Sequence, residues 1–223
     1  TRGNLNPLPI AVSPLFVESK SIKEFQNLLK KESIGEDIAN VVENNLKSSG
    51  LFNPLKKEAF LQKPDIAHLK PRFEDWSLIK AQALITGEVK YENEKLRVEF
   101  RLWDVLAGKE MMALAFTTVP DNWRRVGHII TDKVYQRLTG EKGYFDTRII
   151  YVSEEGPKTN RVKKLAIMDQ DGYNTKYLTL GNELVLTPRF NPTNQMVTYL
   201  SYFKNLPRAV SYTHLTLPTN GTV

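Results

Sequence analysis

Hydrophobic positions in the first part of the chain follow two different periods, which predict a mixture of strands and helices. Residues 8–12 form a short apolar run that ends at Ser13 and Pro14, as in a buried strand. Apolar residues then recur at helical spacing over 22–31 and over 34–46. The pattern therefore predicts one strand followed by two helices.

The second of these helices carries signals at both ends. Ser33 and Glu36 have capping-box spacing, in which each side chain accepts a hydrogen bond from the other residue's backbone N–H. Gly50 follows the apolar face and can adopt the left-handed conformation that closes a helix.

Residues 83–118 predict three consecutive strands. The segments 83–91 and 110–118 have strand character, and between them residues 96–102 alternate strictly between apolar and charged side chains. This period of two puts the apolar set on a core face and the charged set in water. Short turns join the three segments, so the sequence predicts an antiparallel meander.

A last helix is predicted over 121–139, with Asp121 as its cap and Gly140 as its stop. It completes a predicted α+β domain over residues 1–143. Beyond that point the helical period disappears, and short strands separated by turn residues continue to about residue 200. Their spacing is typical of sandwiches, barrels and propellers.

One stretch within this β region could hold a cation. It contains Asp169 and Asp171 followed by Gly172. A calcium loop of the EF-hand type needs glycine at the sixth position and glutamate at the twelfth. Counted from Asp169, the glycine comes fourth and the twelfth residue is Leu180, so a hairpin turn is the better interpretation.

Composition removes several classes of function. The 223 residues include no cysteine, which excludes disulfides, thiolate metal sites and cysteine nucleophiles. The net charge of +6 comes from scattered basic residues and indicates a solvated surface. No apolar stretch approaches the roughly 18 residues of a membrane span. No signal peptide is visible, and a mature or partial chain would have lost one.

Four stretches resemble the TolB family, periplasmic proteins of the bacterial Tol–Pal envelope system. They are residues 35–55, 135–153, 165–180 and 188–202. The stretch 135–153, YQRLTGEKGYFDTRIIYVS, carries the most specific likeness, because it resembles the junction between the family's two domains. In the last stretch Asn191 stands where the family has serine, and Thr193 and Asn194 stand where it has Asp-Gly.

The resemblance implies a two-part fold. Its first part is an α+β domain similar to the anticodon-binding domains of some aminoacyl-tRNA synthetases. Its second part is the start of an all-β propeller, six-bladed in the family and truncated here. Residues 144–209 would form the first blade and the start of the second. Because a blade buries its faces against neighbouring blades, we expect this part to be poorly packed alone.

Residues 210–223 depart from the family pattern. The string VSYTHLTLPT, residues 210–219, resembles the translation of a transposon-type sequencing-library adapter. We therefore expect residues from about 210 onward to be of non-natural origin.

The family resemblance also implies a function. It indicates a non-enzymatic periplasmic scaffold that contacts TolA at the inner membrane and Pal at the outer membrane, in envelope integrity and cell division. Thr1, Arg2, Gly3 and Asn4 would be the last remnant of the arm that engages TolA, although a frayed terminus explains them as well. Catalytic, cofactor-binding and metal-binding residues are not expected.

Two other functions fit parts of the sequence. The first is an enzyme, which would need a nucleophile beside a base, and the candidate bases are His68 and His128. The sequence contains neither a Gly-x-Ser-x-Gly motif nor a glycine-rich phosphate loop. His128 lies on or near the apolar face of its predicted helix, which favours a packing role.

The second alternative is a stand-alone nucleic-acid-binding α+β module. Arg97 and Arg101 lie on the outer face of the predicted sheet, with Trp103 two residues further, and Arg124 and Arg125 begin a helix. Aromatic side chains interleaved with basic ones can bind single strands.

Overall fold

The structure, a computed structural model, describes residues 6–192, 196–204 and 206–213. The chain divides into two compact units, with the boundary after Phe145. The sequence placed this boundary after residue 143. Within the described residues, no helix combines the length and the hydrophobicity that crossing a bilayer requires.

Unit 1 is an α+β domain built on one sheet. Its helices are α1 (Ser19–Leu29), α2 (Ile34–Ser48), α3 (Pro64–Ala67), α4 (Phe73–Leu78) and α5 (Trp123–Thr139). Its strands are β1 (Leu8–Val12), β2 (Phe16–Val17), β3 (Phe52–Pro54), β4 (Ala83–Glu92), β5 (Lys95–Asp104) and β6 (Lys109–Thr118). The sheet has the order β3-β1-β4-β5-β6, and the short β2 pairs with β4.

The predicted meander is confirmed, since β4, β5 and β6 pair antiparallel in sequence order. Asn93 and Glu94 both have positive φ in the turn between β4 and β5, as a two-residue hairpin requires. The sequence did not predict that β1 lies between β3 and β4 and runs parallel to both. These pairings join residues far apart in the chain, which local periodicity cannot reveal.

The strict alternation in β5 correctly identified the core face. Leu96, Val98, Phe100 and Leu102 are all fully buried. They belong to one cluster with apolar side chains from β1, β4, α2 and α5. The long helices therefore cover one face of the sheet, and β5 supplies the centre of the core.

Helices α2 and α5 end at glycines as predicted, but their predicted N-terminal caps do not form. Gly50 and Gly140 both adopt positive φ just after α2 and α5. Ser33 does precede α2, but its side chain makes no capping hydrogen bond, so the predicted capping box is wrong. Asp121 lies in a 3-10 turn before α5, and Asn122 occupies the N-cap position without a side-chain cap bond.

A second layer, which the sequence did not predict, lies over the opposite face of the sheet. It consists of a 3-10 turn (Lys57–Ala59), α3 and α4. Trp76 of α4 is buried there beside Leu84 and Ala11 from the sheet. Gln62 accepts a 3.0 Å hydrogen bond from Trp76 Nε1 through its Oε1. Elements of three to six residues are too short to produce a readable helical period.

Among the described residues of unit 2, the regular elements are all strands, as predicted. Its strands are β7 (Arg148–Glu155), β8 (Val162–Asp169), β9 (Lys176–Tyr177), β10 (Leu184–Phe190), β11 (Val197–Phe203) and β12 (Leu206–Tyr212). They form two antiparallel sheets, β7-β8-β9 and β10-β11-β12. Residues from both sheets meet in a single small cluster centred on Leu165, Val185 and Val197.

Strand β12 reaches into the segment predicted to be adapter-derived. Val210, Ser211 and Tyr212 pair with Tyr199, Thr198 and Val197 of β11. The origin of this segment stays a prediction, because strand pairing does not test it. Residues 214–223, which include His214, lie outside the described residues, as do Thr193 and Asn194.

Because alternate residues of β5 face the core and the solvent, neighbouring substitutions in this strand should differ in their effect on stability. Phe100→Ala should lower the free energy of unfolding of unit 1 by about 3–5 kcal/mol, because it opens a cavity in the main core. Arg101→Ala, the next residue on the opposite face, should change it by less than about 0.5 kcal/mol. Urea denaturation followed by tryptophan fluorescence measures both, and equal effects would contradict the assigned core face.

The small cluster of unit 2 makes a second prediction. Backbone amides of β7–β12 should exchange with deuterium faster than those of β4 and β5, because fewer buried side chains oppose their local opening. Hydrogen exchange followed by mass spectrometry on the whole chain measures this difference. Equal protection in the two units would show that the β unit is well packed without further blades.

Candidate interaction surfaces

The predicted partner-binding arm lies outside the described residues. Thr1, Arg2, Gly3 and Asn4 therefore remain a prediction from the family resemblance. The chain that follows them enters the middle of the sheet, where the backbone N–H of Leu8 donates a 2.9 Å hydrogen bond to Leu51. The first strand of the described chain, β1, is paired on both sides.

Charged side chains cover the part of the outer sheet face that carries the predicted nucleic-acid residues. Glu88 and Glu99 are directly opposite each other on β4 and β5. Lys90 Nζ contacts Glu88 at 2.8 Å, and Arg97 contacts Glu99 at 2.6 Å. These hydrogen bonds raise the pKa of Lys90 and the pKa of Arg97 above their ordinary values. Lys90 and Arg97 thus each have an acidic partner within the domain.

Trp103 and Arg101, two of the other residues named for nucleic-acid contact, also have partners within the domain. Trp103 Nε1 donates a 2.9 Å hydrogen bond to Thr86 Oγ1, and its ring packs edge-on to Phe73. Arg101 lies 3.8 Å from Glu110. An indole held in this way does not offer a free stacking platform, which weakens the nucleic-acid hypothesis.

His128, one of the two histidines considered for catalysis, is a packed residue of the α2–α5 interface. It is almost fully buried, and its Nδ1 lies 2.9 Å from Asn45 Nδ2. Because the amide nitrogen can only donate, Nδ1 is the acceptor. Asn45 also donates to Thr131 Oγ1 at 3.2 Å. The packing role predicted for His128 is confirmed.

His68 lies just after α3 and stacks on the ring of Phe16, with 4.3 Å between the ring centroids. Its Nδ1 donates to the backbone carbonyl of Pro64 at 2.9 Å. The two contacts fix the ring between the short-helix layer and β2. His68 thus serves to attach that layer to the sheet.

The Asp169–Gly172 segment is a hairpin turn, as predicted. The backbone N–H of Gly172 donates to the carbonyl of Asp169 at 3.0 Å, and Gly172 has positive φ. Asn174 Nδ2 donates to the Asp169 carboxylate at 2.5 Å, and the N–H of Tyr173 donates to Asp171 Oδ1. Local amides therefore engage both carboxylates within the turn.

The sheet β10-β11-β12 has apolar side chains on the face that points away from its buried cluster. Leu200 stands between Leu186 and Ala209, and the next row places Tyr202 between Leu184 and Pro207. Leu184 is 40% exposed, although it belongs to a regular strand. Such a face is typical of a repeated sheet that stacks against a neighbour.

These observations define a class of protein: an α+β domain followed by the first sheets of a stacked, all-β array. Two family models match the chain, "TolB amino-terminal domain" over residues 1–111 and "TolB beta propeller domain" over residues 135–215. The chain belongs to the TolB family. Its second unit is accordingly the start of a β-propeller.

Individual relatives agree with this assignment. The chain is 81% identical over 208 residues to the Tol-Pal system protein TolB of Pelagibacter ubique, covering 93% of this chain and 47% of that protein. It is similar in fold to the crystal structure of TolB from Acinetobacter baumannii, with a TM-score of 0.70, 22% identity, and coverage of 93% and 50%. The chain thus spans about half the length of the relatives it matches.

The charge pairing on the outer sheet face makes a prediction about nucleic acid. The chain should show no saturable binding to single-stranded RNA even at about 50 mM salt, where phosphate contacts are strong. Fluorescence anisotropy with a labelled oligonucleotide measures this. Binding that weakens steeply with salt and is lost in Arg97→Ala and Arg101→Ala would contradict it.

Proposed function

We propose that the chain is part of a non-enzymatic periplasmic scaffold of the Tol–Pal system, which links TolA at the inner membrane to Pal at the outer membrane. The observation that carries the proposal is the 81% identity over 208 residues to a protein named for that system. At this level of identity, most of the surface as well as the core is shared between the two proteins.

The geometry of the chain supports a binding role. The two histidines considered for catalysis are engaged in packing contacts, and the aspartates of the β hairpin bind local amides. Elements that such a scaffold needs are present, namely a well-packed domain and the first sheets of a propeller.

The proposed division of labour follows the two units. The N-terminal segment, including Thr1, Arg2, Gly3 and Asn4, would contact TolA as an extended arm. An extended segment can add to the edge of a partner's sheet through backbone hydrogen bonds, with little demand on its sequence. The propeller would bind Pal, mainly through blades that follow those of this chain. Envelope integrity and cell division are the processes that this linkage would serve.

The arm can be tested on the chain as it stands. Isothermal titration should detect weak binding of the periplasmic part of TolA to the 223-residue chain. Removal of Thr1–Asn4 should reduce the affinity at least about tenfold, because a bound strand loses its backbone hydrogen bonds. Removal of residues 214–223, at the other end, is the matched control and should leave the affinity unchanged.

Two other results would contradict parts of the proposal. Equal affinity before and after removal of Thr1–Asn4 would exclude these residues from the contact. An absence of binding in both samples would argue against TolA as a partner of this part of the scaffold. The proposed Pal contact is tested separately by pull-down with a chain that includes the further blades.

A further inference from the structure

The segment that follows α5 is held against that helix by a side chain. The carboxylate of Asp132, in the middle of α5, accepts a 2.7 Å hydrogen bond from the backbone N–H of Phe145. Hydrogen bonds to an ionised carboxylate are stronger than those between neutral groups. The chain therefore turns back along α5 after Gly140 and is fixed there.

Gly143 allows this close approach. A Cβ added at Gly143 would lie 2.5 Å from Asp132 Cα and 2.7 Å from Asp132 Cβ. Non-bonded carbon atoms pack at about 3.5–4.0 Å, so no larger residue fits without moving the segment away from the helix. Glycine is needed here for space, since the φ of Gly143 is not in the left-handed region.

Two aromatic residues complete the attachment. Phe145 is fully buried and belongs to the main core of unit 1, with its ring centroid 5.7 Å from that of Tyr135 on α5. Tyr144 stacks on Phe145 at 4.4 Å. Burial and the neighbouring Tyr135 raise the pKa of the Tyr144 hydroxyl. Fully burying one aromatic side chain is a substantial hydrophobic contribution for so short a segment.

We propose that Gly143, Tyr144 and Phe145 form a clasp with Asp132, and that the clasp protects the C-terminal end of α5 from unwinding. A pull on the chain beyond Phe145 must first remove this ring from the core and break its hydrogen bond to Asp132. Only then can the pulling force reach Gly140 and the last turn of α5. In this device Asp132 is a positioning residue, and Phe145 is the anchor.

Proteolysis of the whole chain tests the clasp. Trypsin needs an extended segment, so it can cleave after the exposed Lys142 only when Gly143–Phe145 have left α5. Lys158, in the exposed loop between β7 and β8, is an internal reference site. In the parent chain, cleavage after Lys142 should be much slower than cleavage after Lys158. Gly143→Ala should raise the ratio of the two rates about tenfold or more, because it overpacks the clasp.

A matched glycine variant separates the clasp from general weakening of the helix end. A Cβ at Gly140 would meet no atom within 4 Å, but Gly140 has positive φ. Gly140→Ala therefore strains the end of α5 without touching Asp132, and should leave the cleavage ratio near the parental value. Equal cleavage at Lys142 and Lys158 in the parent, or equal effects of the two glycine variants, would overturn the proposal.

Amide exchange gives a second readout at the bond itself. Asp132→Ala should speed exchange of the Phe145 amide about tenfold or more relative to amides in β4, and Asp132→Asn should have a smaller effect because it keeps an acceptor. NMR on the folded chain resolves these amides even if the variants lose some stability. Unchanged exchange at Phe145 in Asp132→Ala would overturn the positioning role. Neither experiment depends on the proposed partners.

Discussion

The close packing of α2 and α5 over one face of the sheet is the constraint on which unit 1 depends. A Cβ at Gly127 of α5 would lie 2.8 Å from a methyl group of Val41 on α2, so glycine at this position sets how near the two helices approach. At this distance their apolar faces and that of β5 form one continuous core. The polar group of Asn45, His128 and Thr131 lies in the same helix interface. Its directional hydrogen bonds select one arrangement of the two helices, where apolar side chains alone would tolerate several.

The same packing explains why the two faces of the sheet differ. One face is packed against long helices, while the other is only partly covered by short elements around Trp76. The remaining area carries Glu88, Glu99 and their cationic partners, which stay in water as ion pairs. Exposed pairs of this kind contribute little stability.

Unit 2 is built differently, from two small antiparallel sheets that share one small apolar cluster. Each sheet has a face that another sheet can cover, and the outer face of β10-β11-β12 remains apolar and partly exposed. A family whose members are about twice as long can cover such faces with further blades.

By itself, the sequence determined those features that depend on near neighbours. The alternation of β5, the glycines after α2 and α5, the Asp-Gly hairpin and the change to an all-β pattern all follow from spacing and turn chemistry within a few residues. The motifs of the family, above all the junction 135–153, identified the two-part fold. Only the tertiary structure decided that β1 lies between β3 and β4, that short helices cover the second face, and that Ser33 makes no cap bond. It also decided that Trp103 is hydrogen-bonded inside the domain and that Asp132 holds Phe145. Except for the local cap at Ser33, each of these features joins groups beyond the range of helical or strand spacing, and how the whole core closes decides whether they meet.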